Sequence, residues 1–280
     1  MSHPRPRGRT ESREVAELRQ LKTSHPELSG AVDMQIALVD LHRRIQSRLA
    51  TPLLADESAT ADRLTSGRRL VEFGDIPLDW SEFRLAFRQT AEILHRYDAL
   101  EKPDHDALQA LIREGSRVEA LTRSYYERTA RPGSEADPGA MAMLDPVLAL
   151  ALRPFLARCA EVCLARADLA AWHRPWCPVC GGEPDFAALS TAGDRLLICA
   201  RCLTRWPFDQ SACPFCGAGS DDVTSFGSRD GRYRVYGCSS CRKYLKAYDG
   251  RGASRPVMPI VDTIATLPLD AAAIQKGYDG

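Results

Sequence analysis

The chain has 280 residues, and its 37 basic and 37 acidic side chains give a formal net charge of zero. This length suits one large domain or two ordinary domains with a sizeable apolar core. A neutral chain has no long-range field that would attract nucleic acid or an anionic membrane. The sequence also lacks the glycine-rich phosphate-binding motifs and the HExxH motif, so nucleotide-dependent and metalloprotease activities have no anchor.

Residues 1–10 are rich in proline and arginine and show no apolar periodicity, which predicts a mobile N-terminal segment. They also lack the apolar core of a secretory signal. We therefore expect a cytoplasmic location, where cysteines stay reduced and disulfides are rare.

Residues 1–171 are predicted to form an all-α domain. Apolar residues spaced by three and four predict helices over 30–53 and 105–126. Asp79 is suited to cap the N-terminus of a third helix that begins directly after it. The buried stripe of that helix is predicted at Phe83, Phe87, Ala91 and Leu94.

The domain is predicted to end with a loop and a pair of apolar helices. Residues 129–139 are rich in proline and glycine, which predicts the loop. The helix pair is expected over 141–171, interrupted near Pro154, as the most buried part of the domain. Asp145 and Arg153 lie within its apolar run, so we predict no membrane insertion.

Four Cys-x-x-Cys pairs follow this helical half. Two thiolates three positions apart on a tight turn can grip one metal ion, and two such turns complete a tetrahedral site. Eighteen residues separate the first two pairs, ten the middle two and twenty-one the last two, which is the spacing of two successive ribbons. The predicted metal ligands are Cys177, Cys180, Cys199 and Cys202 for the first site, and Cys213, Cys216, Cys238 and Cys241 for the second.

An internal repeat supports this grouping, because Cys-Pro-Val-Cys-Gly at 177–181 is matched by Cys-Pro-Phe-Cys-Gly at 213–217. In such a turn proline fixes φ and glycine tolerates positive φ, so that backbone N–H groups can point at the sulfurs. A thioredoxin-like redox pair would instead follow a βαβ pattern, which the sequence lacks. Sulfur-only tetrahedra hold either zinc or iron, so the metal itself stays open.

Short segments between the cysteines predict two small β ribbons, the first over 172–207 and the second over 208–250. The clearest strand candidates are 196–198 and 233–236. Residues 251–280 contain three prolines and are predicted to form an irregular C-terminal tail.

Three sets of side chains near the cysteines leave alternatives open. The aromatic residues of the ribbons form either a partner-binding face or a cover for modules with little core; they are Trp206, Tyr233, Tyr236, Tyr244 and Tyr248. The basic residues beside the turns either compensate the thiolate charge or contact a partner; they are Arg201, Arg205, Arg242 and Lys243. Cys159 and Cys163 share one helix face, which favours buried thiols over a third metal or redox pair.

The motifs resemble those of a known family, the formate dehydrogenase accessory proteins called FdhE. The resemblance rests on Trp176-Cys177-Pro-Val-Cys180-Gly-Gly-Glu-Pro184 and on Cys199-Ala-Arg-Cys202-Leu-Thr-Arg-Trp206. It also rests on Cys213-Pro-Phe-Cys216-Gly and Cys238-Ser-Ser-Cys241-Arg-Lys-Tyr244-Leu-Lys246. These motifs lie in 172–250, whereas over 1–171 the resemblance is architectural.

The resemblance implies a mainly α fold with two tandem rubredoxin-like or zinc-ribbon modules. It further implies a cytoplasmic maturation factor that binds the catalytic subunit of a respiratory formate dehydrogenase before export. The eight cysteines carry over as ligands of two metal ions, with iron favoured and zinc as the alternative. No enzymatic activity and no catalytic residue carry over, and self-association is left open.

Two other functions compete with this interpretation. A rubredoxin-like electron carrier or redox sensor would need iron, because zinc has no redox chemistry. A zinc-ribbon nucleic-acid binder would need a basic surface, yet residues 171–250 hold only ten basic against eight acidic side chains. Eight thiolates around two divalent ions would make that segment acidic, so we predict no nucleic-acid partner.

Overall fold

The computed structural model describes residues 11–52, 57–128 and 143–279. Within them the chain is mainly helical with one small β-sheet, which confirms the predicted fold class. The α-helices are α1 (Arg13–Ser24), α2 (Ser29–Gln46), α3 (Glu57–Thr65), α4 (Trp80–Arg96), α5 (Lys102–Arg113), α6 (Gly115–Arg128), α7 (Leu144–Leu164), α8 (Pro259–Ala265) and α9 (Leu267–Gln275). The strands are β1 (Pro184–Leu189), β2 (Arg195–Cys199), β3 (Arg205–Pro207), β4 (Val223–Gly227), β5 (Tyr233–Cys238) and β6 (Tyr244–Asp249).

Helix α4 begins as the sequence predicts. The Asp79 carboxylate accepts hydrogen bonds from the backbone N–H groups of Ser81 at 2.8 Å and Glu82 at 3.1 Å, so it caps the helix. The predicted stripe of α4 is buried and packs against α2, α5 and α7. Its members are Phe83, Phe87, Ala91 and Leu94.

Two predicted helices are shorter than expected. Helix α2 ends at Gln46, short of the predicted 53, and Pro52 disfavours a helical conformation only at Thr51 directly before it. The helix predicted over 105–126 is two helices, because Glu114 leaves the helical region with φ −93° and ψ 70°. A Cβ at Gly115 would lie 2.7 Å from the guanidinium of Arg84, so a larger residue at this reversal would displace that side chain.

The predicted interruption at Pro154 is wrong, because α7 runs through this residue as one helix. Proline removes the backbone N–H that would bond the carbonyl of Leu150. The imidazole of His42 on α2 interacts with that carbonyl instead, so the polar group is not left alone in the interior. The residues predicted as a mobile start (1–10) and a loop (129–139) lie outside the described residues.

The two ribbons form one six-stranded sheet in the order β3-β2-β1-β6-β5-β4. Each ribbon is antiparallel within itself, and the predicted strands at 196–198 and 233–236 lie in β2 and β5. A parallel pairing of β1 with β6, from Phe186 opposite Lys246 to Leu189 opposite Asp249, joins the two. The boundaries proposed between the modules remain a prediction.

The C-terminal tail is not irregular, which corrects the expectation for 251–280. It contains α8 and α9, and Pro259 and Pro268 stand in their first turns. Proline lacks an N–H that is unused in the first helical turn anyway, so here it starts helices rather than breaking them.

One apolar core extends from the helical half into the first ribbon, including Leu152 on α7 together with Val179 and Trp206. A smaller cluster lies between the sheet and the C-terminal segment, around Phe186 and Tyr248. Among the described residues, no helix has the length and apolar character needed to cross a membrane.

Candidate metal centres

The structure brings the eight predicted ligands together in two groups of four, paired as the spacing predicts. In the first centre, Sγ of Cys180 lies 3.5 Å from that of Cys199 and 3.6 Å from that of Cys202. Sγ of Cys177 lies 3.5 Å from that of Cys202. All ten cysteines of the chain are free of disulfides.

The second centre has slightly wider spacing. Sγ of Cys213 lies 3.8 Å from that of Cys241, and Sγ of Cys216 lies 3.7 Å from that of Cys238. Metal–sulfur bonds of about 2.3 Å place the sulfurs of a tetrahedron about 3.8 Å apart. Both groups therefore have the donor atoms and the separations of a four-sulfur metal site.

The same backbone hydrogen bonds shape the turns of both centres. Gly181 N–H donates to Cys177 O at 2.9 Å, and Gly217 N–H donates to Cys213 O at 2.9 Å. These glycines have φ of +74° and +77°, a conformation that is unfavourable for residues with a Cβ. The repeat seen in the sequence is therefore a repeat of structure.

The second turn of each ribbon repeats in the same way. Leu203 N–H donates to Cys199 O at 3.2 Å, and Arg242 N–H donates to Cys238 O at 3.0 Å. Leu203 and Arg242 both have φ of +62°, which costs free energy for a residue with a side chain.

The first centre is enclosed by the helical half. Its four cysteines are at most 3% exposed, and Arg201 beside them is equally buried. The Arg201 guanidinium lies 4.6 Å from the ring centroid of Tyr126 and 5.4 Å from that of Tyr125 on α6. Burial opposes its charge, but the thiolates of Cys180 and Cys199 and the two tyrosines outweigh burial and raise the pKa of Arg201.

Backbone pairing fixes this enclosure. Leu70 N–H donates to Pro178 O at 2.8 Å, and Val71 N–H donates to Val179 O at 2.9 Å, so the segment before α4 runs along the first turn. The Tyr126 hydroxyl donates to Val71 O at 2.7 Å. On the second turn, the Arg153 guanidinium of α7 donates to Ala200 O at 2.7 Å.

Gly182 closes the first centre from the remaining side. A Cβ at this position would lie 2.9 Å from the Arg201 side chain and 3.2 Å from Cys199 Sγ. Only glycine therefore allows the arginine and the sulfurs to approach so closely.

The second centre lies at the surface. Cys216 is exposed and Cys241 half-buried, whereas Cys213 and Cys238 are buried. Its nearest cover is the C-terminal segment, where the Arg242 guanidinium donates to Lys276 O at 3.1 Å and Asp279 N–H donates to Arg242 O at 2.7 Å.

The thiols of the first centre differ in their pKa values. Burial raises the pKa of Cys177 and Cys199 well above that of an ordinary thiol. Hydrogen bonds from the other three thiols lower the pKa of Cys180. A metal ion bound by these sulfurs would displace the protons that the thiols still carry.

The pKa values of the thiols in the second centre also shift in opposite directions. Burial raises the pKa of Cys213 to about 12. Burial opposes ionisation of Cys238 as well, but hydrogen bonds from the Cys241 N–H and the neighbouring thiols outweigh it and lower the pKa.

Cys159 and Cys163 lie in the apolar core of α7 and belong to neither centre. Burial raises the pKa of Cys159 to about 12 and that of Cys163 to about 11. They remain neutral thiols, as the interpretation of two small buried hydrophobes requires.

The ribbon aromatics cover the sheet rather than presenting a face to solvent. Trp206, Tyr233 and Tyr248 are buried, and Tyr236 and Tyr244 are half-buried. Their polar atoms are engaged within the chain: the Trp206 indole donates to Arg174 O at 3.0 Å, and the Tyr233 hydroxyl donates to Asp262 at 2.8 Å.

Of the four basic residues predicted beside the turns, only Arg201 is buried. Arg205 donates to Val257 O at 3.1 Å, and the Lys243 ammonium lies 3.6 Å from Glu183. The roles of Gly182 and Tyr126 at the first centre were not predicted. A signal existed for Gly182, because the second repeat has Ala218 in its place.

Known proteins similar to this chain are FdhE homologs. No protein-family model matches the chain. An FdhE homolog of Aquifex aeolicus is 25% identical over 266 residues, which are 92% of this chain and 88% of that protein. An FdhE homolog of Erwinia tasmaniensis is 27% identical over 95% of this chain and 85% of its own length.

Other relatives match over a shorter stretch. An FdhE homolog of Actinobacillus pleuropneumoniae is 34% identical over 111 residues, which span 38% of this chain and 36% of that protein. The crystal structure of the FdhE protein from Pseudomonas aeruginosa superposes with a TM-score of 0.64 at 21% identity, covering 95% of this chain and 91% of that one, and it shows the same fold. The chain is therefore similar to FdhE homologs over nearly its whole length, and it shares the fold of the FdhE protein from Pseudomonas aeruginosa.

Proposed function

We propose that this protein is a cytoplasmic accessory factor that binds the catalytic subunit of a respiratory formate dehydrogenase and matures it before export. The proposal rests on two four-cysteine centres combined with a helical body. The chain that contains them aligns with FdhE homologs over nearly its whole length. We propose no membrane insertion and no nucleic-acid partner.

The proposed role is binding rather than catalysis. Each centre offers four sulfur ligands, and a tetrahedral ion held by four protein ligands has no open position for a substrate. The chain would then contribute a surface that binds the catalytic subunit. The sheet, cross-linked by the two metal ions, and the helices packed on it would keep this surface rigid.

The proposed metal ligands are the eight cysteines, with one ion in each centre. Iron is favoured by the family resemblance, and zinc is the alternative. Metal analysis of protein purified without oxygen, combined with its visible absorption spectrum, decides between them, because four-sulfur iron is coloured and zinc is not. Zinc alone in a colourless preparation would exclude iron.

Association with the client tests the function directly. Purified full-length protein at micromolar concentration should form a stoichiometric complex with the formate dehydrogenase catalytic subunit or with its immature form, measured by light scattering after gel filtration. Light scattering of the protein alone gives its self-association in the same experiment. No complex with either form would overturn the proposal.

A rubredoxin-like electron carrier or redox sensor is the second candidate, and the exposure of Cys216 favours it. An electron carrier needs a redox-active ion near the surface, which only iron supplies here. Reversible bleaching of an iron absorption band by a client enzyme would support this role, and a zinc-only protein would remove it.

A further inference from the structure

The two centres differ in how their sulfurs meet solvent. All four cysteines of the first centre are buried, whereas Cys216 of the second centre is exposed and Cys241 is half-buried. The turn geometry is the same in both, so the difference comes from what surrounds the turns.

Two positions of the repeat account for part of the difference. Arg201, which stands before the last cysteine of the first centre, corresponds to Ser240 in the second, and Ser240 is exposed. Gly182, which lets the arginine approach the sulfurs, corresponds to Ala218. The second centre therefore has no buried cation at the equivalent position; the buried Arg195 approaches it only from the side of Ala212, whose carbonyl accepts from its guanidinium at 2.6 Å.

The packing of the helical half accounts for the rest. The backbone pairing of Leu70 and Val71 and the Arg153 hydrogen bond hold the turns of the first centre only. The four cysteines of the first centre are at most 3% exposed beneath this packing, although Cys202 lines a cavity beside it, whereas Cys216 is exposed in the folded protein.

We propose that the second centre exchanges its metal ion with thiol-bearing acceptors, entering at Cys216, while the first centre keeps its ion. The inference rests on the proposed binding of one ion by each centre. An incoming thiolate forms a bond to the metal as the bond from Cys216 Sγ breaks. The released Cys216 thiolate takes a proton from solvent, and no electrons are transferred.

The partner class follows from this step. Three further substitutions of the same kind move the ion to the acceptor, so the acceptor must present several thiolates close together. Two molecules of a small dithiol, or a protein with two cysteine pairs, supply the four thiolates, because thiolates are the ligands that compete with thiolates for zinc or iron.

The test measures how fast each centre gives up its ion. Full-length protein loaded with two zinc ions is mixed with excess 2,3-dimercaptopropane-1-sulfonate, and bound zinc is counted by native mass spectrometry. We expect one ion to leave at least ten times faster than the other. Brief N-ethylmaleimide treatment of the loaded protein, followed by peptide mapping, should label Cys216 first.

A paired deletion assigns the fast ion. Cys213→Ser with Cys238→Ser removes two ligands of the second centre and leaves the enclosed first centre intact. This variant should retain one ion and show only the slow phase. A fast phase that persists in it, equal rates for both ions in the unaltered protein, or first labelling within 177–202 would each overturn the inference.

The outcome separates this inference from the proposed function. Protein that binds no metal would contradict the proposed metal centres themselves. Two ions released at one rate would contradict only the exchange, and complex formation with the catalytic subunit is measured independently of both.

Discussion

The first and second ribbons arise from one sequence repeat, yet they draw their stability from different sources. The first ribbon shares the main apolar core with the helices through Val179, Leu197 and Trp206. The second ribbon places only Leu245 and Ala247 of its buried residues in that core and contributes Tyr233 to a smaller cluster, and its edge strand β4 has no fully buried residue. A repeated turn thus fixes local geometry, and the packing around it decides whether a metal centre belongs to the core or to the surface.

We expect the largest difference in stability between two variants that each remove one metal ligand, one from the first centre and one from the second. Cys177→Ser should lose one ion and lower the free energy of unfolding by at least about 5 kcal/mol, because metal binding contributes on the order of 10 kcal/mol to such modules. Cys238→Ser should also lose one ion but leave the main thermal transition in place. Metal analysis and calorimetry measure both, and unchanged metal content in either variant would contradict the ligand assignment.

The second prediction concerns the buried cation of the first centre. Arg201→Met should destabilise the protein by about 3 kcal/mol, because it leaves the negative four-sulfur centre buried without its cation. Ser240→Ala, at the equivalent position of the second ribbon, should change stability by less than about 0.5 kcal/mol. Chemical denaturation compares the two, and equal effects would remove the proposed distinction between the centres.

A third prediction uses pH to probe the seam between the helical half and the first ribbon. His42, Arg153, Leu203 and Thr204 line one cavity there. Burial, assisted by the charge of Arg153, lowers the pKa of His42 from 6.5 to about 3. The unfolded chain therefore takes up a proton as pH falls below about 6.5 while the folded protein does not, so this contribution to stability is complete at higher pH and declines toward pH 3.

From about pH 7.5 to about pH 5.5 the cost should be about 1.5 kcal/mol. His42→Gln should remove that part of the slope, and His173→Gln, which alters an exposed histidine, should retain it. Urea unfolding at the two pH values measures the difference. An identical slope in the unaltered protein and His42→Gln would show that His42 does not titrate as its burial requires.

The smallest expected effect concerns the C-terminal cover of the second ribbon. The Tyr278 ring packs on Gly237, where a Cβ would lie 2.5 Å from it, and its hydroxyl lies 3.0 Å from that of Thr224. Tyr278→Ala should cost no more than about 1 kcal/mol because the ring is only half-buried. Hydrogen exchange in β4 and β5 should nevertheless accelerate, and unchanged protection there would mean that the segment does not support the ribbon.

The grouping of the cysteines could be predicted because the ligands of a four-sulfur site recur at short, characteristic spacings in the sequence. The cap at Asp79 and the stripe beginning at Phe83 were equally local, and both were correct. The continuity of α7 through Pro154 was not predictable, since it involves His42 from a distant helix. The same holds for the enclosure of the first centre, which depends on Val71 and Tyr126.

The prolines of the C-terminal segment show a different limit. Pro259 and Pro268 signal either a break or a helix start, and which one applies depends on the surface available for packing. Asp262 on α8 is fully buried and accepts hydrogen bonds from Tyr233 and Arg255, so long-range contacts hold this segment as helix.

The parallel pairing of β1 with β6 has a consequence for how the polypeptide acquires its shape. The strand that begins the first ribbon finds its partner only after the last strand of the second ribbon has been synthesised. A fragment ending near residue 207 would leave one side of β1 unpaired and largely apolar, which is a template for association with other chains. Removal of either ribbon would therefore expose an unpaired strand edge, at β1 or at β6, and we expect the two ribbons to fold as a unit.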